Sequence, residues 1–535
     1  MDRSFFEQAN PHCVDSLLRT TKSKVIVASE DIFDTRGIKL LARSKPITVS
    51  LQERLLACRL KKPLELCLRV ENGIAAKDIV REARRLMDNT PALLTLIGGN
   101  STKILDLLGD VRISGAPHLL LTVSAEDGSG IFGHSVLTAL IAAAITLNLG
   151  VPSHSAESIV IAALFHDLGE IYISPNYLRS TRDLAPDEWK QVVTHPRLTA
   201  ILLSELAGYP SPVVMATQEH HERLDGTGYP YGKSGNEISE LGQILMTAET
   251  LSNILPSPEN PETRAKLALG LVPSQYPHDA VAVVFDAYKG SIPTIPMSFD
   301  LPVLMKTAAE ITQRLGNARA LALGVGERSD ITLAQAELAR RARDVCRNLL
   351  VSLNASGILE VLEAAEADFR QDPSLATELQ VVVKELTWRL RALSRHISLA
   401  SSFLTPQLDS FDEIARMLYI ADSRSTPNAQ VFLGDLQDAM VRTSRFLHQK
   451  DLPEGKVMFD LGAVKFILEP DGKKLWYLRK SSDNGYYAFS TIVDDARLKE
   501  FADLTSSAAP VAPVGTLDIL NPSAAEASRP ADRGV

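Results

Sequence analysis

The chain has 535 residues, a formal net charge of −9 and 45% hydrophobic residues, which is enough for several domains that each bury a core. The acidic balance argues against a general binder of polymeric nucleic acid, because such a protein needs a basic surface. The four cysteines are dispersed without a CxxC pair, which excludes a disulfide framework and a cysteine zinc cluster and indicates a reducing cytoplasm.

The first 78 residues are predicted to form a small α/β regulatory module. Residues 24–28 are an apolar run, and residues 64–70 alternate between leucine or valine and other types, as strands do. Between these segments, Ser50 followed three residues later by Glu53 predicts a helix with Ser50 at its N-cap. No basic segment followed by an apolar stretch opens the chain, so no secretory signal is expected.

Helical periodicity dominates the rest of the chain. A linker helix is expected over 79–110, a helical domain over 111–292 and a further helical region over 300–446. A short β-containing module is expected over 450–505, because strand-like segments at 464–468 and 475–479 flank a Pro-Asp-Gly turn. The tail over 506–535 is rich in Ala, Pro and Ser and is predicted to be disordered. The predicted fold class is mainly α, with a central all-helical domain, a small α/β N-terminal module and a helical C-terminal region that ends in a short β-sheet.

Six of the eleven histidines fall in one stretch of the central helical domain. His166 precedes Asp167 at the end of an apolar helix, His195 lies inside a later helix, and His220 and His221 are adjacent. Imidazole and carboxylate are the ligands that hold hydrolytic divalent metals. Adjacent helical residues are about 100° apart, so the two neighbouring histidines can address different cations, and a carboxylate can bridge two. The pattern predicts a metal-centred hydrolytic site, or the remains of one.

The ordered pattern resembles the HD-GYP family, a branch of the HD phosphohydrolase superfamily, over residues 111–292. Its most specific part is the run His-His-Glu-Arg-Leu-Asp-Gly-Thr-Gly-Tyr-Pro at 220–230. The run Leu-Phe-His-Asp-Leu-Gly-Glu-Ile-Tyr-Ile-Ser-Pro at 164–175 and the pair His195-Pro196 are similar to the family's middle portion. The resemblance implies an all-helical HD-type domain that holds two or three divalent metals, often iron or manganese. It also implies hydrolysis of the bacterial second messenger cyclic di-GMP to a linear dinucleotide or to GMP.

Carried over position by position, the resemblance implies roles for individual residues. In the last ligand position the family has an aspartate, where this chain has Glu249. The implied metal ligands are His134, His166, Asp167, His195, His220, His221 and Glu249. Asp167 and Glu170 stand at the implied catalytic positions. The implied substrate-binding residues are Arg223, Arg197, Gly228, Tyr229 and Pro230, although Gly228 and Pro230 fit a purely structural role in shaping the loop equally well.

Two departures from the family pattern bear on catalysis. Glu170 stands where the family has a lysine that contacts the substrate phosphate, and Leu137 stands where it usually has an arginine. An anion in place of a cation beside a phosphodiester removes transition-state stabilisation and adds repulsion. Arg223 and Arg197 are nearby cations that can compensate. Three functions stay open: a cyclic di-GMP phosphodiesterase, a degenerate signalling domain that binds nucleotide or a partner without turnover, and a hydrolase of another nucleotide.

The expected partner is cyclic di-GMP or a related small nucleotide, and signalling-protein partners and a homodimer are compatible with the sequence. No membrane partner is expected. The strongest membrane candidate, residues 136–149, is shorter than the ~20 residues of a spanning helix and contains Thr138, Thr146 and Asn148. It is predicted to be a buried helix.

Overall fold

A computed structural model of the chain divides into two compact units, Met1–Ile420 and Ala421–Val535. It describes residues 6–178, 184, 186–257, 260–272, 274–291, 301–355, 373–401, 404–419, 445–448, 456–460, 464–468, 474–480 and 485–492. The predicted disordered tail over 506–535 and the predicted Pro-Asp-Gly turn lie outside these residues.

The N-terminal part is an α/β arrangement, as the sequence predicts. Its elements are α1 (Pro11–Thr20), β1 (Val25–Ala28), β2 (Ile32–Phe33), β3 (Lys39–Leu41), α2 (Gln52–Ala57), α3 (Leu64–Cys67) and β4 (Leu68–Glu71). Strand β1 pairs antiparallel with β4, and β2 pairs antiparallel with β3. The N-terminus of α1 is capped by the Asn10 side chain, which accepts hydrogen bonds from two backbone N–H groups.

Two local predictions in this part are wrong. Residues 64–67 are a helical turn that follows Pro63, and the strand begins only at Leu68. Ser50 lies in a 3₁₀ turn, Val49–Leu51, and does not cap α2; its hydroxyl lies 2.9 Å from the hydroxyl of Thr48 instead. A local side-chain contact therefore competes with the cap.

Residues 79–110 form parts of three helices instead of the single linker helix expected from the sequence. These helices are α4 (Ala76–Asn89), α5 (Pro91–Ile97) and α6 (Ser101–Gly109). Pro91 starts a new helix because it lacks an N–H for the preceding one, and Gly98 ends α5 with φ +57°, a conformation that favours glycine. The buried side chains of all three helices belong to the same core as the N-terminal module and the histidine-rich helices.

Ten helices follow within the described residues up to 291, and the histidine-rich stretch lies on them and on the segments between them. They are α7 (Gly115–Glu126), α8 (Ile131–Asn148), α9 (Ser153–Phe165), α10 (Pro175–Leu178), α11 (Pro186–Val192), α12 (His195–Ile201), α13 (Ser211–Glu219), α14 (Glu240–Ser252), α15 (Pro261–Gly270) and α16 (His278–Ala287). Helix α8 has the length and composition to cross a membrane, but 72% of it is buried inside the protein. It packs against α9 and α14, so its apolar surface faces other helices.

The helices after residue 300 build a second hydrophobic core. They are α17 (Leu301–Gly326), α18 (Leu333–Ala355), α19 (Pro373–Ser401) and α20 (Asp409–Leu418). The second unit contains an antiparallel sheet of β5 (Arg445–His448), β6 (Lys456–Asp460), β7 (Val464–Leu468), β8 (Lys474–Lys480) and β9 (Gly485–Ile492), in the order β5-β9-β8-β7-β6. The predicted hairpin is present, with Val464 opposite Arg479 and Leu468 opposite Leu475. The mainly α fold class is confirmed.

Candidate metal centre

The ends of four helices bring the predicted histidines together. His134 lies in the first turn of α8, His166 follows the last residue of α9, His195 is the first residue of α12, and His220 follows the last residue of α13. Helix α14 adds Glu249 from its interior. His195 lies in a helix, as expected, and is the first residue of that helix.

Asp167 lies at the centre of this cluster. One carboxylate oxygen, Oδ2, is 3.1 Å from Nε2 of His166 and 3.4 Å from Nε2 of His134. The other, Oδ1, is 3.4 Å from Nε2 of both His195 and His220. Each oxygen therefore faces its own pair of imidazoles, which is the arrangement of a bridging carboxylate.

Two groups of ligand atoms share Asp167. One consists of Asp167, His195, His220 and His221, and the other of His134, His166, Asp167 and Glu249; within each group the ligand atoms lie within 4.8 Å of one another. Glu249 closes the second group, with Oε2 2.8 Å from Nε2 of His134 and 3.2 Å from Nε2 of His166. All seven predicted ligand residues are thus placed together.

The hydrogen bonds of the imidazoles fit a metal site. The Nδ1–H groups of His166, His195 and His220 each donate to the carbonyl oxygen three residues earlier, at 2.7, 2.8 and 2.7 Å. A carbonyl can only accept, so when one of these rings loses its second proton, the Nε2 that faces the cluster carries the lone pair. The Nε2 atoms of His195 and His220 are only 3.2 Å apart, and Oδ1 of Asp167 accepts no hydrogen bond from the part of the chain that the structure describes. Several buried acceptors converging in this way suit divalent cations.

The acidic and basic groups of the cluster shift one another's pKa values. Although burial opposes it, the nearby carboxylates raise the pKa of His166 well above its ordinary value, and they also raise the pKa values of His134 and His195. Burial alone would raise the pKa of Asp167, but the surrounding His166, His195 and His220 lower it well below its ordinary value. The pKa of Glu249 is lowered in the same way by His134 and His166 against its burial. Burial lowers the pKa of His220 to about 4, so this imidazole is neutral and available as a ligand at neutral pH.

Glu170 lies in the 3₁₀ segment Leu168–Tyr172 that follows the His-Asp pair. Its backbone N–H donates to the carbonyl oxygen of Asp167 at 2.9 Å. Burial and the nearby Asp167 carboxylate raise the pKa of Glu170 to about 7. Leu137, the second departure from the family pattern, is only 3% exposed and lies in the apolar core. Neither position supplies a cation.

The loop over 224–235 is fixed by two buried glutamates that precede it. Glu219 accepts hydrogen bonds from Lys233 Nζ at 2.6 Å and from the Ser239 backbone at 2.9 Å. Glu222 accepts from the backbone N–H groups of Tyr231 and Lys233 at 2.8 and 3.0 Å. These contacts attach the loop to the end of α13, next to His220.

Within this loop the predicted substrate residues have different surroundings. A Cβ on Gly228 would lie 2.3 Å from Cα of Glu222, so only glycine allows this close approach. The Tyr229 ring stacks on His221, with ring centroids 4.6 Å apart and planes at 28°, and Pro230 follows it through a cis peptide bond. Gly228 therefore has a structural role, and Tyr229 contacts a predicted ligand directly.

The two candidate arginines differ in position. The guanidinium of Arg223 lies 5.2 Å from the centroid of the Tyr276 ring. It donates hydrogen bonds to the carbonyl oxygen of Glu222 and to Oγ1 of Thr250, the residue that follows Glu249 on α14. Arg197 is exposed and follows His195 by two residues on α12, which places it about 200° around the helix from that ligand. The structure thus places Arg223 against Thr250, the residue that follows Glu249, and leaves Arg197 exposed on α12.

Residues that the sequence analysis did not single out support the ligands. Thr199 Oγ1 accepts from the Gly169 N–H at 2.9 Å and donates to the His166 carbonyl at 2.9 Å, which ties α12 to the His-Asp segment. Its spacing of four residues from His195 places both on one helix face, a signal that could have identified it. Glu219 gives a similar signal, because it is the one charged residue of α13 and stands directly before His220.

Comparison with known proteins agrees with this site. Residues 122–275 match a family model described as HD domain. The chain is 36% identical to a 3'3'-cGAMP-specific phosphodiesterase of Vibrio cholerae over 117 residues. This matched stretch covers 22% of this chain and 25% of that protein. It is 32% identical to a cyclic di-GMP phosphodiesterase of Pseudomonas aeruginosa over 21% of this chain and 27% of that protein. It is also 32% identical to a cyclic di-GMP phosphodiesterase response regulator of Xanthomonas campestris, over 22% of this chain and 31% of that protein.

The similarity is confined to one part of each protein, since the chain spans a quarter to a third of the length of these curated relatives. The matched stretch contains all seven clustered ligand positions. The chain carries an HD domain, and its resemblance to the HD-GYP phosphodiesterases is confirmed.

Proposed function

We propose that this chain is a metal-dependent phosphodiesterase that hydrolyses a cyclic dinucleotide, with cyclic di-GMP as the first candidate substrate. The observation that carries the proposal is the position of the Asp167 carboxylate, whose two oxygens each face a separate pair of imidazoles. The names of the similar proteins support a cyclic dinucleotide as the ligand.

The cofactor proposed for this site is two divalent cations, iron or manganese, held by the seven clustered residues. Imidazole and carboxylate ligands suit both metals. When bound, such a pair supplies positive charge that polarises a phosphoryl oxygen and makes a water molecule a better nucleophile. The family resemblance also allows a third ion, for which the two ligand groups found here offer no separate position.

The protein's own groups hold and orient the reactants. The carbonyl contacts of His166, His195 and His220 fix their ring orientations, so that no reorganisation is needed when substrate arrives. His134 and His221 are the partly exposed members of the two groups, and the phosphodiester approaches from their side. Glu170, with a pKa of about 7, is partly protonated near neutral pH, which reduces the negative charge that it places beside the cluster.

A second candidate function is nucleotide or partner binding without turnover. It is favoured by Glu170, which stands where the family has a phosphate-contacting lysine, and by the buried Leu137, which stands where the family usually has an arginine. An ionised Glu170 opposes the approach of an anionic substrate, and this repulsion acts across a buried, weakly screened site. The loss of these cations also suits a hydrolase of another nucleotide.

The experiment that separates these functions uses the purified chain loaded with Fe²⁺ or Mn²⁺ and tested on cyclic di-GMP and on 3'3'-cGAMP. The Asp167→Asn variant is the inactive control, and Glu170→Lys restores the family's cation. Hydrolysis by the natural chain that Asp167→Asn abolishes supports the proposal. Hydrolysis by Glu170→Lys alone, together with nucleotide binding by the natural chain, supports the binding function instead.

A further inference from the structure

His221 is oriented differently from the other histidines of its group. His195 and His220 each have a carbonyl partner for Nδ1, but no hydrogen bond to the His221 ring involves a residue that the structure describes. Its ring is held by aromatic contacts instead: it stacks on Tyr229 at 4.6 Å, lies 4.1 Å from the His220 ring, and meets the His195 ring edge-on at 5.0 Å. The direction of this ligand therefore depends on what fixes Tyr229.

Trp189 of α11 packs against the Tyr229 ring. The two ring centroids are 5.7 Å apart with planes at 76°, which is the edge-to-face geometry that aromatic pairs prefer. The guanidinium of Arg395, on α19, lies 5.1 Å from the centroid of the Trp189 ring, a cation–π distance. A continuous line of ring contacts thus runs from α19 to a predicted metal ligand.

The helices α18 and α19 hold the same loop at two further points. Arg341 of α18 donates to the carbonyl oxygen of Gly232 at 3.3 Å. Arg389 of α19, only 5% exposed, donates to the side chain of Gln275, which in turn donates to Thr227 Oγ1 at 3.3 Å. The loop that presents Tyr229 is therefore attached to the C-terminal helices on both sides of the tyrosine.

We propose that Trp189 and Arg395 are positioning residues for His221, and that α19 thereby sets the metal affinity of the group formed by Asp167, His195, His220 and His221. The inference rests on the cation site of the proposed function but not on any particular substrate. The helical region after residue 300 then affects metal binding. A displacement of α19 that withdraws Arg395 loosens Trp189, Tyr229 and His221 in turn.

The test is a Co²⁺ titration of the full-length chain, followed by the visible absorption of the bound cobalt, which reports its coordination. Wild-type protein is expected to bind two equivalents. Trp189→Ala is expected to lower the affinity for one cobalt equivalent by about 10- to 100-fold and to change the absorption of that ion, because residues that support metal ligands have effects of this size. The equivalent held by His134, His166 and Glu249 keeps its affinity. Trp189→Phe retains an aromatic edge and should rescue most of the loss.

Two variants make the result specific. Arg395→Leu is expected to weaken binding of the same equivalent to a smaller degree, because it removes the cation above the ring and leaves the Trp189 ring in place. Trp388→Ala, on the same helix but with a side chain 56% exposed, is the matched control and should bind cobalt as wild type does. Wild-type affinity and absorption for both equivalents in folded Trp189→Ala, or in Arg395→Leu should Trp189→Ala not fold, would overturn the inference.

The titration also separates this inference from the proposed function. If the natural chain hydrolyses no cyclic dinucleotide but its second cobalt equivalent depends on Trp189, the proposed activity fails and the positioning role stands. If the chain hydrolyses cyclic di-GMP and Trp189→Ala leaves both equivalents unchanged, the activity stands and the positioning role fails. A wild-type chain that binds fewer than two equivalents contradicts both.

Discussion

Replacing Gly169 with alanine is expected to disable one half of the metal centre. Gly169 follows Asp167 by two residues and packs against the start of α12. A Cβ added to it would lie 2.3 Å from the carbonyl oxygen of His195 and 2.8 Å from Thr199 Oγ1. The carbonyl is backbone, so it cannot rotate away, and the two segments must separate by about 0.7 Å to restore even a 3.0 Å contact.

A separation of this size exceeds the tolerance of a metal site, which is about 0.2 Å in ligand distance. His195 would move with its helix, away from the Asp167 oxygen that it faces at 3.4 Å. We expect metal affinity at the group containing His195 to fall by about 10- to 100-fold and the rate of hydrolysis by about 100-fold. Overpacking should also cost about 1–3 kcal/mol of unfolding free energy.

The assay is isothermal titration of the variant with Mn²⁺, together with thermal unfolding followed by circular dichroism. Gly99→Ala is the matched control, because a Cβ there would meet nothing within 4 Å and the residue does not adopt a positive φ. Two tightly bound Mn²⁺ ions in folded Gly169→Ala, with affinities equal to those of the control, would refute the reasoning.

Three further predictions follow from buried charges. Glu170→Lys should raise kcat/KM for cyclic di-GMP by about 10-fold or more, because it replaces a buried acid with the cation that stabilises phosphoryl charge, and steady-state kinetics at pH 7.5 check this. Burial raises the pKa of Glu65 above its ordinary 4.5, so the folded chain retains a proton that the unfolded chain releases, and stability falls as pH rises above 4.5. Glu65→Gln, which keeps a hydrogen-bond acceptor for the Tyr172 hydroxyl at 2.9 Å, should flatten this dependence in thermal melts between pH 5 and pH 8; equal slopes for both proteins would count against it. Lys233→Met should lower the unfolding free energy by about 3 kcal/mol, because it leaves the fully buried Glu219 carboxylate without its cation, and unchanged urea unfolding would contradict this.

The cluster of candidate metal ligands could be anticipated from the sequence because its residues stand at fixed places relative to helix ends. His166 and Asp167 follow an apolar helix, and His220 and His221 follow another, so local periodicity already indicates that they face one core. Periodicity alone does not indicate that these segments meet. The order of the histidines and the aspartate along the chain, which resembles the HD-GYP pattern, does indicate it. The hairpin at 464–480 could be predicted as well, because alternation and a turn signal are both local features of the sequence.

What could not be anticipated depends on contacts between distant segments. Trp189 and Arg395 are 206 residues apart in the sequence, and neither stands in a recognisable motif, so nothing local indicates that they meet beside Tyr229. The surroundings of Arg197 are also a tertiary property: its place near His195 in sequence suggested the site, but two residues along a helix put it on the opposite side. In residues 64–67 a leucine alternation fits a strand, yet Pro63 begins a helical turn there.

The most direct test of the central claim is anomalous diffraction from crystals of the Mn²⁺-loaded chain. Two peaks are predicted about 3.5–4 Å apart, one beside Oδ1 of Asp167 with His195, His220 and His221, and the other beside Oδ2 with His134, His166 and Glu249. A single manganese ion, or two ions that Asp167 does not join, would contradict the account.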